Sequence, residues 1–466
     1  MSLNSNSANS AHPHSTAAAA LTNGSSSSPP RSAFVLVIDG LHAGFLGPYG
    51  NTWVDTPGWN RLAAEATLWE FAVADSPQLQ EIYDSYWTGT HAASRRRAYR
   101  EGTLRRDLWL SGVGPAGSLP RQLIAAGHRA ELLTDDLEIA QHSLASQFGE
   151  LLMVEHDSRE STAEEILATR LGRFLSATLE HWESVEQAGL LWCHARGLAD
   201  LWDAPLELRQ QLADDEDPTP PDFVQPLQRM LPERFDPDER LGVTQAYGGQ
   251  ILALDVCLDA WLEEFRALAD ARNSLLIVTG SRSYPLGEHR RMGFGQRGLY
   301  SELLQVPLLV RYPGAENRLG RRSDLAQPAD LHATLLDWFR VPLEAAEQAA
   351  EQAAKQFTES TTAAPSPTAM VGEGASGVAS WGRSLCVVDD GRDLAVSVDD
   401  DQVAVRTPAW FLTESMTAGE PRAELYVKPD DRWESNEVAR RCPEVVEQMR
   451  TFVAIVEAGR RTIPQD

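Results

Sequence analysis

The chain has 466 residues, enough to bury a large core and, by length alone, to form about three domains. Its net charge of −26 argues against nucleic acid or an anionic membrane as a partner, because both rely on Lys and Arg to neutralise phosphates. No apolar run approaches the roughly 20 residues of a spanning helix, and the four widely spaced cysteines, without a CxxC, suit reduced thiols rather than a disulfide framework or a zinc site.

Residues 1–31 are rich in Ser, Ala, Asn and Pro and poor in large apolar side chains. They cannot bury enough surface to offset the entropy of ordering, so a disordered tail is expected. Ala17–Leu21 is too short for the apolar region of a secretion signal and has no basic lead-in, which makes a cytoplasmic location the expectation. Phe34 to Ile38 is an unbroken apolar run stopped by Asp39-Gly40. It reads as a central parallel strand, buried on both faces, with a loop at its carboxyl end. Trp59 to Phe71 has helical spacing, with Leu62, Ala63, Ala66 and Trp69 on one side.

A basic stretch from Arg95 to Arg106 holds Arg95, Arg96, Arg97, Arg100, Arg105 and Arg106. It reads as a solvated face or, more sharply, as a docking patch for an acidic partner. Leu119–Ala126 reads as a helix, Arg129–Leu133 as a strand and Leu190–Cys193 as a short buried strand. Tyr247–Leu268 is a long amphipathic helix with Ile251, Leu254, Leu258, Leu262 and Phe265 on one stripe. Leu275–Thr279 and Pro307–Tyr312 read as strands. Strands alternating with helices imply an α/β fold, a parallel sheet covered on both sides. Gly293 to Gly298 formally matches GxGxxG, but it neither follows a predicted strand nor opens a helix, so nucleotide binding is not expected.

Residues 344–380 break this pattern with a polar, helix-prone run, EAAEQAAEQAAKQ, and a Thr/Ser/Pro/Gly-rich linker. Beyond it, Leu394–Val398, Val403–Arg406 and Trp410–Thr413 read as short strands and Glu444–Ala458 as a closing helix. The organisation expected is a tail over 1–31, an α/β domain over 32–343, a linker over 344–380 and a small C-terminal α+β unit over 381–466. In open parallel sheets function sits beyond the carboxyl ends of the strands, which points to the loops after Asp39 and Thr279.

Two stretches carry a family resemblance. Phe34 to Gly89 begins FVLVIDGLHAGFLGPYG, and Ser274 to Gly314 reads SLLIVTGSRSYPLGEHRRMGFGQRGLYSELLQVPLLVRYPG. Together they resemble the sulfatase branch of the alkaline-phosphatase superfamily. The resemblance implies an alkaline-phosphatase-like sandwich: a large mixed, mostly parallel sheet with helices on both faces and a small C-terminal α+β subdomain. It also implies where chemistry belongs, and the departures fall there. The family's two consecutive metal-binding aspartates are here Asp39-Gly40. The Arg and Asp that often follow are His42 and Gly44, while Leu46-Gly47 and Tyr49-Gly50 are kept.

Ser76-Pro77 precedes the expected nucleophile signature, yet an ungapped match puts Leu79 at the nucleophile, Glu81 at the Pro and Tyr83 at the Arg. No Cys lies between Met1 and Leu191, so formylglycine cannot arise there, and Ser85 is a nearby hydroxyl without the family's spacing. The family's GKWHLG falls at Thr134-Asp135-Asp136-Leu137, and its later histidine falls near Ala199. The second metal-binding pair becomes Ser281-Arg282 and the downstream Lys becomes Gln296. By contrast LGEH (Leu286 to His289), Leu299-Tyr300 and VPLLVRYPG are intact.

A calcium ion wants about six to eight oxygen ligands, mostly carboxylate. Asp39, Gly40, Ser281 and Arg282 offer one carboxylate and one hydroxyl, so Asp39 is a metal-site remnant. Leu79 can neither attack an ester nor polarise one. The expectation is a sulfatase-like pseudoenzyme on a hydrolase fold, with a binding or interaction role, no catalytic residue and no cofactor. The candidate pocket comprises Asp39, His42, Leu79, Ser281, Arg282 and His289, with Arg282 replacing the metal by an ion pair to Asp39. The alternative is an active sulfate or phosphate ester hydrolase with a rearranged site built on Ser85, His42 or His91. Calcium or magnesium is expected only in that case.

Overall fold

A computed structural model describes residues 30–100, 117–295, 298–342, 381–387, 391–415 and 422–457. Residues 1–29 of the expected tail, the whole 344–380 segment, Gln296, Arg105 and Arg106 lie outside the described residues, as do the side chains of Arg97 and Arg100.

The strands are β1 Ser32–Gly40, β2 Thr67–Val73, β3 Arg129–Thr134, β4 Glu150–Met153, β5 Gly189–Ala195, β6 Arg229–Met230, β7 Ser274–Ser283, β8 Arg291–Met292, β9 Gln305–Arg311 and β10 Gly320–Ala326. A further four, β11 Ala395–Val398, β12 Gln402–Arg406, β13 Trp410–Ser415 and β14 Arg422–Val427, form a separate sheet. The main sheet runs β10-β2-β9-β7-β1-β5-β3-β4. Its neighbours are parallel except at β9, which is antiparallel to both β2 and β7.

β1 lies at the centre, and its alternation builds two cores. Ala33, Val35 and Val37 join the cluster containing helices Leu79–Thr88 and Ala329–Trp338. Phe34, Leu36 and Ile38 join the cluster of helices Arg170–Ser184 and Pro237–Ala271. Every residue of β1 is buried, which is why its sequence reads as one apolar run rather than an alternation. Phe34 anchors the second face, its ring centroid 5.0 Å from that of Phe265 and 5.1 Å from that of Trp261.

The helix expected over 59–71 divides in two. A helix runs from Pro57 to Glu65, Ala66 turns extended, and Thr67–Val73 is β2. Leu62 and Trp69 are both buried, but in different elements. The run TLWEFAV is rich in β-branched and aromatic residues and pairs with β9 on one side and β10 on the other; two ladders outweigh a weak helical preference. β14, which carries Leu425 and Tyr426, completes the C-terminal sheet.

That sheet is antiparallel and packs against helices Ala92–Arg100 and Pro443–Glu457. Backbone and side-chain hydrogen bonds sew it to the main body: Val398 N–H donates to the Asp75 carbonyl at 2.9 Å, and Gln327 Nε2 donates to the Val396 carbonyl at 2.8 Å. All four cysteines are free. No described helix is long and apolar enough to cross a membrane.

Candidate functional site

β1 and β7 are parallel neighbours, with Ile38 opposite Gly280 and Gly40 opposite Ser283. The register slips between those pairs, because β7 carries an extra residue there. The slip sets Asp39 across from Ser281 and Arg282. The Ser281 hydroxyl donates to Asp39 Oδ1 at 2.5 Å. Arg282 donates twice to the same carboxylate, Nε to Oδ1 at 3.2 Å and Nη2 to Oδ2 at 3.1 Å. Its Nη1 donates to the Pro77 carbonyl at 3.0 Å, and its guanidinium lies 3.9 Å over the Phe294 ring. Asp39 itself is 1% exposed. The ion pair expected from the sequence is thus bidentate and is held further by Ser281, the Pro77 carbonyl and the Phe294 ring.

The residues do not fit the divalent cation that the sequence resemblance implies. Both Asp39 oxygens are engaged, and a guanidinium occupies the space beside them. Gly40 has φ +77°, and a Cβ there would sit 2.7 Å from the Ala199 nitrogen and 2.8 Å from the Leu198 carbonyl carbon. A second carboxylate at this position therefore requires the backbone to move. Among the described residues no group of three or more His, Cys, Asp or Glu is arranged to hold a metal ion.

Leu79 opens helix Leu79–Thr88 and is 2% exposed. It belongs to the hydrophobic core with Ile82, Tyr86 and Trp192, so it is packing and not pocket lining. One turn on, Tyr83 points its hydroxyl at His194 Nδ1 on β5, 2.5 Å away. Burial, the leading effect, pushes Tyr83 well above its ordinary range, so the phenol keeps its proton, and the tautomer of His194 sets the direction of the bond between them. The other ring nitrogen, Nε2, faces Asp136 Oδ2 at 3.5 Å without forming a hydrogen bond. Asp136 in turn caps the short helix Leu137–Ala140, its Oδ1 accepting from Glu138 N–H at 2.8 Å. Burial raises the Asp136 carboxyl, but His194, the Glu138 N–H and Arg196 outweigh it and hold the group below its ordinary value.

The sequence does not announce the grouping of Tyr83, His194 and Asp136. In the resemblance Tyr83 and Asp136 stand only as positions where basic family residues are missing. No local pattern joins them: Tyr83 and His194 lie 111 residues apart, and the strand predicted over Leu190–Cys193 stops one residue short of His194.

The remaining predicted residues lie elsewhere. His42 accepts from Gly44 N–H at Nδ1, 2.9 Å, and caps a short turn. Its own N–H donates to Tyr247 Oη, which also donates to the Gly40 carbonyl at 2.7 Å and so pins the loop after β1. Burial pushes His42 below its ordinary value, and its Nε2 has no partner among the described residues. It lines a cavity of about 30 Å³ with Ser301, Arg432 and Glu434.

His289 stacks on Tyr300 with ring centroids 3.8 Å apart, and its two nitrogens meet Glu302 at 2.8 Å and the Glu434 carbonyl at 3.0 Å. Burial alone would lower it, yet Glu302 and Glu434 raise it above its ordinary value. It borders a cleft of about 1210 Å³ between the main body and β14.

Ser85 is fully buried, its hydroxyl donating to Asp75 Oδ2 at 2.5 Å and accepting from Arg95 Nη1 at 2.9 Å. His91 is equally buried and bonds the Val396 carbonyl at 3.0 Å. Arg95 and Arg96 do not form an external docking face. Arg95 is 2% exposed and is held by Ser85 and the carbonyls of Thr90 and Glu81, because tertiary packing encloses the start of its helix. Arg96 pairs with Glu81 at 2.9 Å and Asp399 at 3.6 Å.

Residues 204–341 match the family model described as Sulfatase. A stretch of 92 residues is 28% identical to an N-acetylglucosamine-6-O-sulfatase of Bacteroides thetaiotaomicron; it covers 20% of this chain and only 16% of that protein's length. The whole structure is similar to the phosphonate monoester hydrolase of Agrobacterium radiobacter, with a TM-score of 0.62, 13% identity and coverage of 92% of this chain and 95% of that one. It is also similar to a chain solved with its substrate D-glucosamine-2-N,6-O-disulfate, with a TM-score of 0.60, 14% identity and coverage of 91% and 97%. The chain is therefore sulfatase-like, sharing the alkaline-phosphatase-like sulfatase fold along most of its length and the Sulfatase sequence pattern over residues 204–341.

Proposed function

We propose that this chain is a sulfatase-fold pseudoenzyme that no longer hydrolyses sulfuric esters and serves in binding or interaction, without a metal cofactor. The observation that carries this reading is the bidentate Arg282–Asp39 pair, which puts a fixed cation where the fold's chemistry calls for a metal. Leu79 in the core adds to it, since an alkyl group has no lone pair with which to attack sulfur or phosphorus. A rearranged hydrolase built on Ser85 has less support, because that hydroxyl is buried and already engaged by Asp75 and Arg95. A cytoplasmic location belongs to the same proposal and accords with the free thiols.

The test is metal analysis of the purified protein together with turnover of p-nitrophenyl sulfate and p-nitrophenyl phosphate. The expected result is no stoichiometric calcium or magnesium and no turnover above that of an Asp39→Ala variant. Stoichiometric metal, or turnover that disappears in Asp39→Ala, would overturn the reading.

A further inference from the structure

Where the β2–β10 edge of the main sheet meets the C-terminal sheet, a cavity of about 240 Å³ opens. Its lining is strongly basic: Arg321, Arg406, Lys428 and Arg432 face a single carboxylate, Glu70. In a chain with net charge −26 this is a local inversion of sign.

Two of the four cations are already compensated. Lys428 Nζ lies 2.7 Å from Glu434 Oε1, and Arg321 Nη1 lies 3.0 Å from Glu70 Oε1. The other two are not. Arg406 is only 6% exposed, and its Nη1 donates to the Thr407 carbonyl at 2.6 Å, while its guanidinium lies 5.1 Å over the Phe71 ring. Arg432 sits exposed at the mouth and stacks on Trp433 at 5.1 Å. Among the described residues neither has a carboxylate within ion-pair distance. A buried cation with no carboxylate in contact is costly: burial pushes Arg406 down to about 10, and Glu434, which pairs with Lys428, opposes this only from beyond pairing distance.

We propose that this cavity binds a small tetrahedral dianion of the phosphate or sulfate kind, held by Arg406 at the floor and Arg432 at the mouth. Two uncompensated guanidinium groups match two negative charges, and a guanidinium fork fits a tetrahedral oxyanion edge. The volume falls below the roughly 300–1,000 Å³ of sites for drug-sized ligands, which suits a free ion or a compact monoester. The site shares no residue with the Asp39–Arg282 pair, so its fate is independent of the pseudoenzyme reading.

Isothermal titration calorimetry of the full chain with inorganic phosphate, inorganic sulfate and phenyl phosphate, at constant ionic strength set by chloride, tests this. Saturable binding is expected for at least one of the three. Tighter binding of phenyl phosphate identifies an ester-borne ligand, and binding of the inorganic ions alone identifies a free one. Arg432→Ala, at an exposed position, weakens binding about tenfold or more, whereas Arg422→Ala, 81% exposed and outside the cavity, leaves it unchanged. Arg406→Gln, checked for folding by circular dichroism, abolishes it. No saturable heat with any of the three probes, or equal affinity in Arg432→Ala, would sink the proposal.

Discussion

Arg282 grips Asp39 from 243 positions away in the sequence, with two nitrogens on two oxygens at 3.2 and 3.1 Å. Removing the arginine strands a carboxylate that is 1% exposed. Arg282→Ala is expected to cost about 3 kcal/mol of stability in urea denaturation, the low end of the range for breaking a buried pair, since the Arg282 side chain keeps some solvent access. The double variant Asp39→Asn with Arg282→Met recovers most of that loss. A cost below about 1 kcal/mol for the single variant would show that the pair is solvated.

Leu79 is core, so Leu79→Ala lowers stability by about 2–5 kcal/mol through the cavity it leaves. Leu79→Ser, which returns a hydroxyl to the family's nucleophile position, destabilises as well and yields no turnover of p-nitrophenyl sulfate. Measurable turnover in that variant would mean that the rest of a working site is present.

Tyr83→Phe deletes the hydrogen-bond partner of His194 Nδ1 and leaves that nitrogen buried. The expected cost is about 1–3 kcal/mol, read as a lowered Tm. An unchanged Tm would show that the Tyr83–His194–Asp136 chain contributes nothing to holding the helix against β5.

Acid should weaken the fold through two buried histidines. Burial, with Arg95 and Arg392 nearby, pushes His91 from 6.5 down to about 3, and burial pushes His332 from 6.5 down to about 4. Both folded values lie below the unfolded one. As pH falls below about 6.5 the unfolded chain takes up protons that the folded chain refuses, so stability drops, by up to about 1 kcal/mol per pH unit for each residue. Above that pH neither contributes a slope. Both ring nitrogens of His332 are buried without a partner among the described residues, so His332→Leu removes its share of the slope and does not destabilise at pH 7. Urea midpoints of the two proteins between pH 4 and 7, read as parallel lines, would contradict this.

The frame of the fold was legible because fully buried parallel strands leave an unmistakable trace: β1, β5, β7 and β9 are apolar runs ended by turn residues. The Asp39–Arg282 pair was legible too, since both residues sit at the carboxyl ends of strands that the resemblance places side by side. What stayed hidden depends on contacts distant in sequence. β2 reads as helix until its two ladders are known. Arg95 belongs to a run of arginines and reads as solvated, yet its guanidinium is satisfied by carbonyls that only the folded chain brings together. His194 and Tyr83 are 111 residues apart, and nothing local in either segment announces the other.

Gly40 and Gly197 make the turn after β1 a place where two backbones meet. A Cβ on Gly40 would lie 2.7 Å from the Ala199 nitrogen, and one on Gly197 would lie 2.9 Å from the Asp39 carbonyl oxygen. An aspartate introduced at position 40 would therefore meet the backbone of Leu198 and Ala199 before it met any ion, and Arg282 would still hold Asp39. Building a two-carboxylate site here thus needs coordinated changes, because this loop must move and the Arg282 guanidinium must leave. Either change alone strains the turn or strands Asp39 without assembling such a site.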